Sequence, residues 1–490
     1  MSTAVGHGAE EAVHSPRNYT AAVCIPKSNV TLYTDRRVLC LPAFMTQCPY
    51  ITTTHWKGRG YDFGLSYFHH SNDYYTEAGD GTMCRNAIDI WATDGPASTF
   101  NTSAGRKDNL PNGTLGDYEE FKFMKVVVGL VQDHAAAAHA HARAHAHGST
   151  QPLFLTYAPH LVHEPLQVPT VYLQRFESVI TDNSNRLWYS SMVAMLDDVV
   201  GNVTAALKEN GMWDDTLLLF TSDNGGPSYN SAHTANNFPL RGSKLSDWEG
   251  GIRVAAFVAG GWVPQAQRGT ARTGLIAVAD WLATFCEIAN VTVADPAAAA
   301  AGLPPIDSQS MLEYLLGEDS PEEGSRSHSA AESRLGTAGT PTTVPATSPR
   351  LELQVDSNVL LKVMGAPSTD AGVNASLKLW KIFGSGFPST PQGATGWACF
   401  PGPFYPNGTN PGCNAGGDCD KAVGGCLFEL YGDETEHVNL ADSEGGVMKM
   451  MVARLAALQP SIFNPDRGKA DQAACAQVSK NGGFYGPWLP

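Results

Sequence analysis

No stretch of 18 apolar residues occurs in this 490-residue chain, so no segment reads as a membrane-spanning helix. The opening "MSTAVGHGAEEAVHSPRNY" holds no apolar core of the kind that makes a secretory leader. Basic residues are outnumbered: 32 Lys and Arg stand against 48 Asp and Glu, a formal charge of −16. That balance excludes a nucleic-acid partner, because phosphate contact needs a basic face. An anionic small substrate would have to be held by local positive groups or by a metal.

What is present points to a large, loop-rich globular protein. Hydrophobic residues make up 43% of the chain, enough for a sizeable core, and 49 glycines with 31 prolines argue against a helical bundle. Ten cysteines accompany glycosylation acceptor patterns at Asn18, Asn29, Asn101, Asn112, Asn202, Asn290, Asn374 and Asn407. Together they place the protein in the secretory pathway, in a lysosome-like or extracellular setting. A secretory body without a leader predicts that the native N-terminus is missing from this chain.

Residues 1–57 show no clear periodicity. From Pro152, "PLFLTYAPHLVHEPLQVP" begins as a strand and breaks at Pro159. A helix follows, with Met192, Leu196, Val199, Val203 and Leu207 at three- and four-residue steps and Gly211 as its C′ stop. The run Leu217–Thr221 is then a short strand apolar on both faces, as in a parallel sheet. A right-handed strand–helix–strand unit would open His163 and Asp223 on one sheet edge. Val254–Gly261 reads as another buried strand and "IAVADWLATFCEIA" as another helix.

Two segments have the composition of insertions. Residues 134–148 carry His134, His139, His141, His145 and His147 among alanines, a low-complexity loop extension or else a transition-metal site. Residues 321–349 are rich in Ser, Pro and Gly, as a linker or surface loop is. Beyond them, 350–490 contains "VLLKV", "LWKIF" and "CLFELYG", short strands of a smaller, antiparallel C-terminal α+β domain. Cys399, Cys413, Cys419 and Cys426 cluster there; they suit local disulfides of undetermined pairing, with zinc the rival.

The chemistry-bearing stretch begins at "TSDNGG". Asp223 and Asn224 at a strand's C-terminal end supply hard oxygen ligands for calcium or magnesium, although Asp-Asn-Gly is also ordinary turn chemistry. "NNFPLRGSKLSDWEGGIR" follows, with Lys244 placed to return to the same edge.

Taken together, "APHLVHEPLQVP", "MVAMLDDVVGNVTAAL", "TSDNGG" and "PLRGSKLSDWEGGIR" occur in the order and spacing of the sulfatase family. The chain resembles its arylsulfatase B-type (N-acetylgalactosamine-4-sulfatase-like) branch over about residues 58–490. "GRGYDFGLSYFHHSNDYYTE", "CLFELYGDETEHVNLAD" and the terminal "FYGPWLP" extend the likeness. The resemblance implies an α/β, alkaline-phosphatase-like fold with a mostly parallel central sheet over 58–320 and the C-terminal subdomain described above.

It also implies hydrolysis of a sulfuric ester, of an aryl alcohol or a sulfated sugar, with Ca2+ as cofactor. Asp223 and Asn224 match a pair of calcium ligands, Lys244 the lysine that contacts sulfate, and His163 the histidine beside the leaving oxygen. Trp248-Glu249-Gly250-Gly251 matches a structural turn. The family's nucleophile is a cysteine in a Cys-x-Pro-Ser-Arg context, oxidised to formylglycine, whose hydrated aldehyde attacks sulfur. Here the nearest approach is "CIPKS", which makes Cys24 the candidate and lacks the arginine. No Asp-Asp pair precedes it, and the family's Gly-Lys-Trp segment is absent before "GRGYD". Three rivals stay open: a non-catalytic fold that binds sulfated glycans or partners, a related phosphoesterase, and an incomplete chain of a competent sulfatase.

Overall fold

A computed structural model describes residues 38–41, 61–97 with short gaps, 118–144, 152–227, 235–317 apart from two single positions, 348–365 apart from 357–358, 377–384, 419, 425–462 and 473–486. Cys24, Cys399, Cys413, His145, His147 and the 321–347 segment lie outside the described residues.

The first sheet has five strands in the order β4-β3-β2-β1-β5. These are β1 (Val38–Leu41), β2 (Phe63–Ser66), β3 (Trp91–Ala92), β4 (Gly95–Pro96) and, after helix α1 (Glu119–Ala144), β5 (Phe154–Tyr157). β1 runs parallel to β2 and β5, whereas β3 and β4 add antiparallel, so the sheet is mixed. Helix α1 carries the alanine-rich stretch through Ala144, so the expected loop extension is helical that far. Alanine has the highest helix propensity, and histidine costs only a few tenths of a kcal/mol per residue.

Helix α2 (Ser184–Glu209) starts where Asn183 accepts from the Arg186 amide and ends as the sequence predicts. Gly211 takes a φ of 68°, its amide donates to Lys208, and the Met212 amide donates to Leu207, closing a Schellman motif. Val131, Ala206 and Leu207 of α1 and α2 pack beneath Leu155 of β5 and Leu218 of β6 (Leu218–Thr221).

The next residue, Leu219, faces the other way. It packs with Val258 of β7 (Ala256–Ala259) on Trp281 of helix α3 (Asp280–Ile288), and on Met311 and Leu315. The two-sided apolar run is thereby explained: helices cover both faces.

The parallel arrangement expected around β6 is corrected. β6 and β7 pair antiparallel with each other, from Leu218↔Ala259 to Thr221↔Ala256, and β5 pairs with β1 instead. The reason lies in residues 222–255, whose described residues hold no helix longer than the four-residue turn Glu249–Ile252. They leave and return at one neck, where the Ser222 amide donates to the Ala255 carbonyl at 3.0 Å. β7 is also less buried than expected, with Phe257 46% exposed.

The C-terminal sheet is antiparallel throughout, in the order β11-β10-β9-β8. Its strands are β8 (Glu352–Asp356), β9 (Val359–Gly365), β10 (Leu377–Gly384) and β11 (Gly425–Glu429). One face packs Leu360, Trp380, Ile382 and Leu427 against helix α4 (Gly445–Leu458). The other packs Val359, Leu361, Phe383 and Phe428 against Trp248 of the 222–255 loop.

Beyond α4 the chain does not stay with that sheet. Helix α5 (Ala473–Lys480) is tied by the Cys84–Cys475 disulfide to the first sheet's neighbourhood, and Phe484 bridges Ile88. A second disulfide, Cys419–Cys426, is local and falls within the predicted cysteine cluster. Both suit an oxidising compartment.

Arg350 ties α3 to the start of β8. Its guanidinium grips the Asp280 carboxylate at 2.5 and 2.6 Å and also donates to the Asp307 and Glu352 carbonyls. Both side chains are buried. Arg350→Met should therefore cost about 3–5 kcal/mol by stranding a buried carboxylate. An unfolding free energy from chemical denaturation within about 1 kcal/mol of wild type would show that the Ala277 and Gln309 amides, which also donate to Asp280, suffice.

Candidate active site

The long excursion between β6 and β7 carries the predicted site residues Asp223, Asn224 and Lys244. At its start, Asp223 accepts from the Asn224 amide at 2.8 Å, and Ser222 Oγ donates to the Asn224 carbonyl. Asn237 then clamps two turns at once. Its Oδ1 accepts from Gly226 N, while its Nδ2 donates to the Gly226 and Gly242 carbonyls at 2.8 and 3.1 Å. The Lys244 amide completes the clamp by donating to Gly226 O. A single carboxamide thus registers the lysine loop on the Asp223 loop.

The structure brings Lys244 and His163 together. Lys244 Nζ lies 3.1 Å from His163 Nε2. His163 Nδ1 lies 2.9 Å from the Glu164 carbonyl, which can only accept, so Nδ1 carries the proton and Nε2 offers its lone pair to the ammonium. Lys244 is 5% exposed, and burial pulls its pKa down to about 8 while Asp223 and Glu164 pull the other way. Burial pushes the Asp223 carboxyl up, and Lys244 partly offsets it. Lys244 is thus linked both to His163 by a hydrogen bond and to Asp223 by charge. Cys24 falls outside the described residues.

Sequence reasoning missed the layer beneath His163. Tyr74 Oη donates to the carbonyls of His160 and His163 at 3.0 and 2.9 Å, holding the bend on which His163 stands. The His160 ring stacks on Tyr74 at 4.1 Å. Around it sit Glu119 and Glu120, the first residues of α1. Glu120 accepts from the amides of His160 and Leu161 and from Tyr157 Oη, and Glu119 accepts from Asn72. Burial raises Glu120 to about 7 and Glu119 upward too, and it lowers His160 to about 4. The only sequence signal was "YEEF", which reads as acidic residues in a helix's first turn and nothing more.

The fit to calcium can be judged from the donors. Asp223 and Asn224 are hard oxygen donors of the right kind, side by side on one turn, but calcium takes six to eight oxygens. Among the described residues no cluster of three or more His, Cys, Asp or Glu has metal-binding geometry. Asp223 and Asn224 fit calcium as part of a ligand set.

Comparison with known proteins bears on the family and the fold. A model of the sulfatase family matches residues 34–291, just over half of the chain. The chain belongs to the sulfatase family. Mouse arylsulfatase J is 27% identical over 348 residues, covering 69% of this chain and 50% of that protein. Human arylsulfatase A is 30% identical over a shorter stretch of 106 residues, 22% of this chain and 19% of that protein. This sulfatase chain therefore spans about half the length of its mouse relative or less of other curated relatives. Among solved structures, Ps i-CgsB in complex with k-i-k-neocarrahexaose aligns with a TM-score of 0.51 at 17% identity. That alignment covers 91% of this chain and 76% of the other, and supports the fold. Among the described residues of this sulfatase no helix is long and apolar enough to cross a membrane.

Proposed function

We propose that this protein is a sulfuric ester hydrolase of arylsulfatase type, acting on an aryl sulfate or a sulfated sugar in a secretory or lysosome-like compartment. The observation that carries the reading is the buried Lys244 ammonium against His163 Nε2, beside Asp223 and Asn224. A buried cation next to an imidazole suits the two needs of sulfate ester cleavage, neutralising the anionic oxygens and assisting the departing alcohol.

In this reading Lys244 donates to a sulfate oxygen, trading the imidazole for an anion that better compensates its burial. His163 Nε2 faces the leaving oxygen. In its protonated form it donates to that oxygen as the S–O bond breaks, while the Glu164 carbonyl holds Nδ1–H and so the ring orientation. Asp223 and Asn224 would hold calcium, which when bound supplies further positive charge to the sulfate. Cys24 is the candidate nucleophile.

A second reading has a specific observation in its favour. The 490 residues contain no Cys-x-Pro-Ser-Arg, so a chain of this sequence would bind sulfated ligands without turnover. One experiment separates the two. Turnover of a chromogenic aryl sulfate is measured after co-expression with the formylglycine-generating enzyme, for wild type, Cys24→Ala and Lys244→Ala. The hydrolase reading expects calcium-dependent turnover, abolished by Cys24→Ala and reduced at least 100-fold by Lys244→Ala. No turnover, with sulfate binding that Lys244→Ala weakens at least tenfold, identifies the binding protein. Neither turnover nor Lys244-dependent binding overturns both.

A further inference from the structure

The 222–255 excursion is long, yet it holds Lys244 and Asn224 in fixed register. Its seat is the short helical turn Glu249–Ile252, where both site segments meet backbone to backbone. The Gly225 amide donates to Gly251 O at 2.9 Å, which fixes the Asp223–Asn224 side. The Gly250 amide donates to Arg241 O at 2.6 Å, which fixes the start of the lysine loop. Wherever this turn sits, both halves of the site go with it.

Apolar packing alone does not orient it. Trp248 is fully buried against Phe383 and Phe428 of the C-terminal sheet, with ring centroids 4.5 and 5.5 Å away, but such contacts tolerate sliding. The directional contacts are ionic and equally buried. Lys381 Nζ, on β10, lies 3.0 Å from Glu249 Oε1 and 2.8 Å from Glu436 Oε1. The other oxygen of Glu436 accepts from the Glu249 amide at 2.7 Å. Arg241 donates to the Glu436 carbonyl at 3.2 Å and stacks on Trp248 at 3.7 Å. Lys381 and Glu436 have no measurable exposure and Glu249 only 4%.

Three ionic groups buried at one point contribute little net stability, since desolvation offsets attraction. What they supply is direction: each bond fixes an atom of the turn relative to the sheet.

We infer that Lys381 and Glu436 are positioning residues for Lys244 and Asn224, seating the Glu249–Ile252 turn from the C-terminal sheet. The C-terminal sheet is then a working part of the site rather than an appendage. The importance of that seat for chemistry rests on the anion site proposed above; the seating itself does not.

The test separates the two. In the charge-neutral variant Lys381→Met/Glu249→Gln/Glu436→Gln no ion is stranded, so its melting temperature should stay within about 5 °C of wild type. Hydrogen exchange followed by mass spectrometry should nevertheless accelerate at least 30-fold in peptides covering 223–226 and 241–252. Peptides from α2 serve as the control and should not change. Inorganic sulfate should bind at least tenfold more weakly. A folded variant with wild-type exchange in both peptides overturns the inference.

Should the triple variant not fold, Glu436→Gln alone decides. Acceleration confined to the two peptides supports the seat, whereas unchanged exchange, or equal acceleration in α2, overturns it. If wild type itself binds no sulfate, the anion site fails while the exchange data still judge the seat.

Discussion

Raising the pH from 5.5 to 7.5 should lower the melting temperature of this protein by roughly 5 °C. The cause is a set of buried carboxyl groups that hold their protons in the folded state. Glu120 is raised by burial to about 7 and Glu77 to about 8, and Glu119 shifts the same way. Lys122 lies against Glu77 and opposes its shift, but burial dominates. Between the ordinary glutamate value of 4.5 and about pH 7 to 8, the folded chain therefore binds more protons than the unfolded chain. Stability must fall as pH rises through that window.

His160, lowered to about 4, acts in the opposite sense below pH 6.5, because there the unfolded chain gains a proton the folded one refuses. One imidazole against several carboxyls leaves the sign unchanged. Allowing for coupling among the groups, the loss is on the order of 4 kcal/mol. Melting scans between pH 5 and 8, with Glu120→Gln expected to flatten the curve, are the measurement. A melting temperature that is level or climbs toward pH 8 would show that these carboxyls ionise inside the fold.

Gly225→Ala should destroy the site and destabilise the protein by roughly 3 kcal/mol or more. A Cβ at Gly225 would overlap the Gly250 carbonyl oxygen. Retreat of the Gly250 side is blocked, since a Cβ placed on Gly250 would stand 2.6 Å from the carbonyl oxygens of both Arg241 and Gly242. All of these neighbours are backbone, so no flexible side chain can swing aside. The added methyl must push the Asp223–Asn224 turn off the Glu249–Ile252 turn and break the amide bond between them. Sulfate affinity should fall at least 100-fold.

Gly201→Ala is the matched control. Gly201 lies inside α2 with nothing within 4 Å of its would-be Cβ, and alanine there should stabilise by about 0.5–1 kcal/mol. Wild-type melting and wild-type sulfate binding in Gly225→Ala would refute the close approach on which the site geometry depends.

Much of the site could be read from local sequence. An apolar run closing on Asp223-Asn224-Gly225-Gly226 marked a strand end with ligand chemistry, and the structure places that turn at the neck of the excursion that returns Lys244. The α2 stop at Gly211 was legible because a Schellman motif is written in adjacent residues. Three C-terminal strands, β9, β10 and β11, were legible from short apolar runs and pair antiparallel as expected, whereas β8, with charged ends at Glu352 and Asp356, was not legible.

The antiparallel turn of β7 was not legible. Strand direction depends on how the intervening chain travels, and an apolar run reads alike in both directions. The Tyr74–Glu120–His160 layer, the Lys381–Glu249–Glu436 set and the Cys84–Cys475 link were hidden for another reason. Their members lie tens to hundreds of positions apart, and each alone resembles a solvated surface charge or an unassigned thiol.

By itself, then, the sequence determined family, helix and strand identities and the ionisable groups available for chemistry, because propensity, capping and motif spacing act between near neighbours. Only the tertiary structure decided which strand runs backwards, which carboxyls are buried enough to keep protons at neutral pH, and which distant lysine seats the site. Those outcomes depend on desolvation and direction, and both exist only once remote segments are packed together.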